Sequence, residues 1–327
     1  MSNLTKLTPK LHQPWLVAVW PGMGHVAMAA GFYLVAKLKM EQFAEISPQG
    51  LFEVDHAVVE KGLIRLGSLP SNRLFAWKDP AGQHDLVVFI GEAQPQRGRQ
   101  AFCQMLVGLA KELGVERVFT FASLATPMRP ENPSRIFGAA TDANSLATLQ
   151  QFGVQPLDDG QVSGLNGVLL GVAAENQLPG SALFGEMPHI FPQVPYPAAA
   201  LKVLETFTRM SGIALDTADL AEQSADMNRR LSEFLAQLEQ NAASPPDADD
   251  EDDESWKLGL ESSSDDVPSE EFTRERLSAA DQRRIEQLFD DAHADRAKAI
   301  VLKRELDRLD AFAEYEDRFL DLFKTAG

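Results

Sequence analysis

Short apolar runs alternate with amphipathic stretches along the first two-thirds of the chain. The segments Trp15–Trp20 and Asp85–Ile90 are nearly continuous β-prone runs, as expected of strands buried on both faces of a sheet. The stretches that follow them, Gly24–Met40 and Arg97–Leu113, repeat apolar residues at helical spacing. This alternation predicts an α/β domain in which helices cover both sides of one sheet, a three-layer α/β/α sandwich.

The same patterns predict the remaining elements of this domain. Further strands are predicted at Leu51–Val54, Leu63–Leu66, Arg73–Trp77, Arg117–Phe121, Ile136–Ala139 and Ser181–Glu186. Further helices are predicted at Asp142–Phe152, Leu165–Asn176, Pro197–Ser211 and Thr217–Gln240.

The composition changes sharply after residue 241. Between Asn241 and Glu271 there are twelve acidic residues and one basic residue, Lys257, so this segment holds −11 of the total net charge of −18. Such a segment buries too little apolar surface to offset the entropy of ordering it. We therefore predict a flexible acidic linker at residues 242–271, between an α/β domain at 1–241 and a tail at 272–327.

The tail is predicted to be helical and amphipathic. From Ser278 to Phe323, apolar residues recur at spacings of three and four and form a stripe along one face. An apolar stripe of this kind must be buried against another surface. It packs either against the α/β domain, or with Thr217–Gln240 as a helical hairpin, or against another subunit.

Charge and cysteine usage exclude several classes of function. The acidic balance provides no basic face for a phosphate backbone, so we expect no nucleic-acid partner. No stretch approaches the roughly 20 apolar residues of a membrane span, and no leader pattern precedes Trp15, so no membrane association is expected. Cys103 is the only cysteine, which excludes a cysteine-based zinc cluster and suits a reducing cytoplasm.

Four short motifs occur in order over about 200 residues: Pro21–Gly24, Gly91–Pro95, Gly164–Gly171 and Pro195–Ala200. Together they resemble the PAC2 family, the proteasome-assembly-chaperone-like proteins of archaea, bacteria and eukaryotes. The resemblance implies a sandwich similar to the purine nucleoside phosphorylase fold, with a C-terminal helical extension added here. It also implies a non-catalytic assembly or scaffolding protein that forms homo-oligomers and has a possible protein partner.

Polar residues and glycines at predicted strand ends are the candidates for ligand binding, because open α/β sheets bind ligands at that edge. The candidates are Gly22, Gly24, His25, Glu92, Gln94, Ser123, Asn166 and Glu186. Each has a structural alternative. The glycine turn at Gly22 and Gly24 either admits an anion or only tightens the chain, and Gln94 or Glu92 either faces a cleft or caps the next helix.

Two other functions compete with the assembly role. The strand-end residues fit a hydrolase or transferase acting on a nucleotide or carboxylate ligand, and they equally fit a regulatory module that binds a metabolite without turnover. Ser123 lies in no nucleophile-elbow pattern, and Glu186 and His189 have no metal-ligand companion at a telling spacing. We therefore predict no metal site, no cofactor and no assigned catalytic residue.

Overall fold

The computed structural model describes residues 9–54, 56–243, 278–294, 298–309 and 311–323. The strands are β1 (Trp15–Val19), β2 (Glu41–Glu45), β3 (Ala57–Glu60), β4 (Leu63–Leu66), β5 (Asn72–Trp77), β6 (Leu86–Gly91), β7 (Arg117–Thr126), β8 (Ile136–Ala140), β9 (Gln155–Pro156) and β10 (Gly180–Pro188). The helices are α1 (Val26–Lys37), α2 (Arg99–Glu112), α3 (Ala143–Gln151), α4 (Gly164–Glu175), α5 (Pro197–Ser211), α6 (Ala218–Ala243), α7 (Ala279–Ala294), α8 (Ala299–Arg308) and α9 (Phe312–Asp321).

Within the described ranges, the strands form one mixed eight-stranded sheet and a separate hairpin. The sheet order is β2-β5-β6-β1-β7-β10-β8-β9, and its four central strands, β6, β1, β7 and β10, are parallel. Antiparallel pairs at β5, β2 and β8 extend this centre on both sides. Among the described residues, strands β3 and β4 pair only with each other.

Alternating side chains of the central strands build two cores. On β1, Val17 and Val19 join the core under α1 and α5, whereas Leu16 and Ala18 join the core under α2 and α4. All four are fully or almost fully buried. A strand buried on both faces reads as a continuous apolar run, which is why this pattern predicted the centre of the sheet correctly. The three-layer sandwich is confirmed.

Several edge elements differ from the prediction. Leu51–Val54 is not a strand: this stretch follows a turn at Pro48, and only Phe52 makes a bridge, to Gln49. Strands β2, β3 and β9 were not predicted: β2 has polar residues at both ends, and β3 and β9, with four and two residues, are too short to show an alternation. Strand β7 runs five residues beyond the predicted end at Phe121, since its second half pairs with β10.

The tail packs on the outer face of α1. The ring of Phe32, which is buried, meets the rings of Phe312 and Phe319 edge-on at centroid distances of 4.9 and 6.0 Å. The backbone of the tail also reaches the sheet, where the Gln42 amide donates to the Phe323 carbonyl at 2.8 Å. Of the alternatives for the apolar stripe, packing against the α/β domain is the one observed.

The predicted linker lies almost entirely outside the described residues. Helix α6 runs through Ala243 and so includes the first two residues of the predicted linker, and the described chain resumes at Ser278. Within the described ranges, no helix combines the length and the apolar character needed to cross a bilayer.

Candidate functional site

A cavity of about 800 Å³ lies at the carboxyl ends of the central strands. Strand β1 leads into α1 on one face of the sheet and the neighbouring β6 leads into α2 on the other, so the cavity lies at a switch point of the topology. Four of the predicted residues line it: Gly22, Gln94, Ser123 and Asn166. The other four, Gly24, His25, Glu92 and Glu186, are not among its lining residues.

The glycine turn after β1 is a tightly bonded structural loop. Gly24 and His25 both adopt left-handed backbone conformations, with φ of 62° and 52°. The Gly24 amide donates to the Pro192 carbonyl at 2.8 Å, and the His25 amide donates to the Gly22 carbonyl at 3.1 Å. Two of the N–H groups that an anion would need are therefore used inside the protein, and the His25 side chain is exposed outside the cavity.

Gln94 joins three segments at the cavity wall. Its Oε1 accepts a hydrogen bond from the Leu165 amide at 3.1 Å, and its Nε2 donates to the Pro21 carbonyl at 3.3 Å. The Leu165 amide is one of the N–H groups left unpaired at the start of α4. Gln94 thus serves as a partner for a helix N-terminus, but for α4 rather than for α2, which directly follows it in sequence.

Ser123 and Asn166 line the cavity from two different elements, a strand and a helix. Ser123 lies inside β7, and its Oγ donates to the Met23 carbonyl at 2.8 Å. Asn166 lies in the first turn of α4, and its buried Oδ1 has no hydrogen-bond partner within the described residues. The glycine on its C-terminal side is needed for packing, since a Cβ at Gly167 would lie 2.0 Å from the Val162 carbonyl oxygen. Gly167 therefore permits close approach of the preceding loop to α4.

Glu92 lies outside the cavity, at the place where the tail packs against the sheet. Its Oε2 accepts from the Ser71 amide at 2.6 Å, and its Oε1 lies 3.8 Å from the Arg73 guanidinium. Burial raises the pKa of the Glu92 carboxyl, and the nearby Asp317 adds to that rise, against the lowering effect of the Ser71 amide and Arg73. Glu92 belongs to the sheet-to-tail contact and not to the cavity.

Glu186 belongs to a second, smaller depression of about 500 Å³ beside β10. Its carboxylate is almost completely buried and accepts from Arg135 Nε at 2.8 Å and from Thr126 Oγ1 at 2.6 Å. The Arg135 hydrogen bond holds the pKa of Glu186 below its usual range. An ionised, fully bonded carboxylate of this kind fixes the ends of β7 and β10 in place.

Other residues of the cavity were not predicted from the sequence. Arg99, at the first position of α2, lines it and donates from Nε to the Pro95 carbonyl at 3.0 Å, while Asp158 and Asp159 lie on its exposed rim. The pair of aspartates before Gly160 is a turn signal, but nothing in the sequence places that turn over the ends of β1 and β7. Across the described ranges, no three His, Cys, Asp or Glu side chains come together as a metal site.

Comparison with known proteins identifies relatives for most of the chain. A sequence model of the PAC2 family matches residues 16–235. The uncharacterized protein MJ1210 of Methanocaldococcus jannaschii is 25% identical over 252 residues, which cover 73% of this chain and 92% of that protein. The family match ends before the tail begins.

Two solved structures share the fold. Pyrococcus furiosus PbaB, an archaeal proteasome activator, aligns with a TM-score of 0.59 at 23% identity, over 73% of this chain and 100% of its own. The Mycobacterium tuberculosis proteasome-assembly chaperone homologue Rv2125 aligns with a TM-score of 0.60 at 23% identity, over 68% of this chain and 96% of its own. At this level of identity the likeness concerns the sandwich and not its activity.

Proposed function

The chain belongs to the PAC2 family, and on that premise we propose that it is a non-catalytic, homo-oligomeric assembly protein of the proteasome-assembly-chaperone kind. Its partner in this proposal is a protein, specifically unassembled subunits of a larger complex. Proteasome subunits are the first candidates, because the names of PbaB and the mycobacterial homologue connect this fold with the proteasome.

One observation about the strand ends supports a non-catalytic role. The polar side chains best placed for chemistry make hydrogen bonds that hold the fold together: Ser123 to Met23, Gln94 to Pro21 and Leu165, and Glu186 to Arg135. A catalytic nucleophile is paired with a base that activates it. The Ser123 hydroxyl instead donates a hydrogen bond to a backbone carbonyl, and Glu186 is held ionised by an arginine.

We also propose a domain organisation and a cytoplasmic location for the chain. The α/β domain at 1–241 carries the assembly function, the acidic segment 242–271 connects it to the tail, and the tail at 272–327 is a second contact element. Cys103 is buried and free, which suits a reducing cytoplasm. The net charge of −18 favours protein surfaces of opposite charge over nucleic acid as binding partners.

Sedimentation velocity with purified proteasome α and β subunits from the source organism tests this function. We expect the full-length chain to bind unassembled subunits without nucleotide and to be absent from the finished particle. An Asn166→Ala variant, which alters the cavity and not a partner surface, should bind equally well. Failure of the chain to bind either subunit would contradict the proposed partner, and loss of binding in Asn166→Ala would favour a role for the cavity.

A further inference from the structure

The hairpin formed by β3 and β4 stands apart from the main sheet. Its two strands are joined by Lys61 and Gly62, which both have positive φ, 51° and 80°, as in a type I′ turn. The register pairs Ala57 with Leu66 and Val59 with Ile64. Since side chains alternate along a strand and directly paired residues share a face, these four residues lie on one face of the hairpin.

This face is apolar, and its large side chains are exposed in the part of the chain that the structure describes. Val59, Ile64 and Leu66 are 65%, 76% and 77% exposed, and Leu63 on the other face is 64% exposed. These are the four most exposed large apolar side chains in the part of the chain that the structure describes. A two-stranded hairpin is marginal in water without a covered face, and a contiguous exposed apolar patch marks an interaction site.

We propose that a second copy of this chain covers the apolar face of the hairpin, which we call the hairpin face (Ala57, Val59, Ile64 and Leu66). This assignment rests on the proposed homo-oligomeric function and names the surface that carries it. A face without charge is complementary to itself, and in a two-fold contact each residue contributes twice to the buried area. In a contact with a different protein, each of these residues would contribute to the buried area only once.

Charge also favours a second copy over a lipid surface. The hairpin from Ala57 to Leu66 holds Lys61 and Arg65 against one acid, Glu60, so its net charge of +1 gives it a weakly basic flank, whereas the whole chain carries −18. A basic flank on one copy fits the acidic body of another, and such complementarity speeds and orients association. An anionic membrane would repel the body of the protein. Because standard interfaces use roughly 20–30 residues a side, the hairpin is expected to be the apolar centre of a larger contact.

A charge placed in the hairpin face tests the assignment. The variant is Ile64→Lys, and the matched control is Val301→Lys, which adds the same charge at a 48% exposed apolar position on α8. Light scattering over a concentration series, with circular dichroism to verify folding, compares both with the wild type. We expect the wild type and Val301→Lys to share one oligomeric mass, and Ile64→Lys to shift to the 35.9 kDa protomer.

The outcomes separate this inference from the proposed function. An oligomeric wild type with an unchanged Ile64→Lys variant would overturn the hairpin assignment and leave the homo-oligomer intact. A monomeric wild type would overturn both. As a second readout, Val59→Cys should give a chain-to-chain disulfide under mild oxidation, since the native Cys103 is buried. Binding of phosphatidylcholine vesicles that is lost in Ile64→Lys, with the mass unchanged, would assign the face to lipid instead.

Discussion

Arg73 on β5 and Asp317 on α9 form an ion pair that joins the sheet to the tail, although 244 residues separate them in the sequence. The Arg73 side chain is only 5% exposed, and its guanidinium also lies 3.8 Å from Glu92 and 3.6 Å from Asp321. One buried cation therefore holds carboxylates from both sides of the contact. This arrangement makes the docked tail dependent on Arg73 and on the protonation of the acids around it.

Replacement of Arg73 is expected to loosen the tail. Arg73→Leu leaves the Glu92 carboxylate without its cation and removes the hydrogen bonds to Asp317, which should lower the free energy of unfolding by about 1–3 kcal/mol. Limited proteolysis should then cut within α9 at lower protease concentration. Arg229→Leu, which breaks an exposed pair with Asp226, is the control and should change neither readout. Equal protease resistance of α9 in Arg73→Leu would contradict the anchoring role.

Glu316 should make a contribution to stability that is lost as pH rises from about 4.5 to about 7. Burial, helped by the negative charges of Glu92 and Asp317, raises the pKa of Glu316 from 4.5 to about 7 in the folded protein. The folded state thus holds a proton that the unfolded state releases above about pH 4.5. This contribution to stability is complete below that value and is lost as pH rises to about 7, by up to about 3 kcal/mol.

Glu316→Gln isolates this effect, since it removes the titration and keeps the shape. The free energy of unfolding of the variant, relative to wild type, should increase between about pH 5 and pH 8. Denaturant titrations at the two pH values measure it, and Glu314→Gln at an exposed position of the same helix is the control. A difference between variant and wild type that does not change with pH would refute the prediction.

Replacement of Gly167 and of Gly171, both in the Gly164–Gly171 motif, by alanine should have opposite effects on stability. A Cβ at Gly167 would lie 2.0 Å from a backbone oxygen, so Gly167→Ala forces the preceding loop to move and should cost about 2 kcal/mol or more. A Cβ at Gly171 meets nothing within 4 Å on an exposed helical position, so Gly171→Ala should stabilise by about 0.5–1 kcal/mol. Thermal unfolding of both variants checks the order, and similar shifts in both would contradict the packing argument.

Gln94 should contribute to stability through its two backbone partners. Gln94→Leu leaves the Leu165 amide and the Pro21 carbonyl without a side-chain partner, and the expected cost is about 1–2 kcal/mol. Gln96→Leu makes the same substitution two residues away at an exposed position and should have little effect. Denaturant unfolding of the pair measures the difference. Equal stability of the two variants would show that the bridging bonds add nothing.

The sequence predicts the centre of this fold better than its edges. Strands such as β1 and β6 are buried on both faces, so they are visible in the sequence as apolar runs. Strand β2 has acidic residues at both ends and one buried alanine, so its sequence shows no alternation of apolar and polar residues. The boundaries of α5, Pro197 and Ser211, were predicted to the residue, since proline fixes its first turn and Gly212 ends it.

The candidate site was harder to predict, because side chains that follow the same strand point to different parts of the protein. Glu92 and Gln94 are two residues apart, yet Glu92 turns to the tail and Gln94 to the cavity. Sequence spacing cannot foresee that a carboxylate will find a cation such as Arg73, or that a tail more than 200 residues later will supply Asp317 beside it. Tertiary contacts of this kind determine which polar groups remain available to bind a ligand.

Native mass spectrometry of the full-length chain tests the central claim, a homo-oligomeric assembly protein, most directly. We expect a single oligomeric species, with a mass that is a whole-number multiple of the 35.9 kDa protomer, and we expect it to persist on dilution across the micromolar range. A protomer mass at every concentration would contradict it.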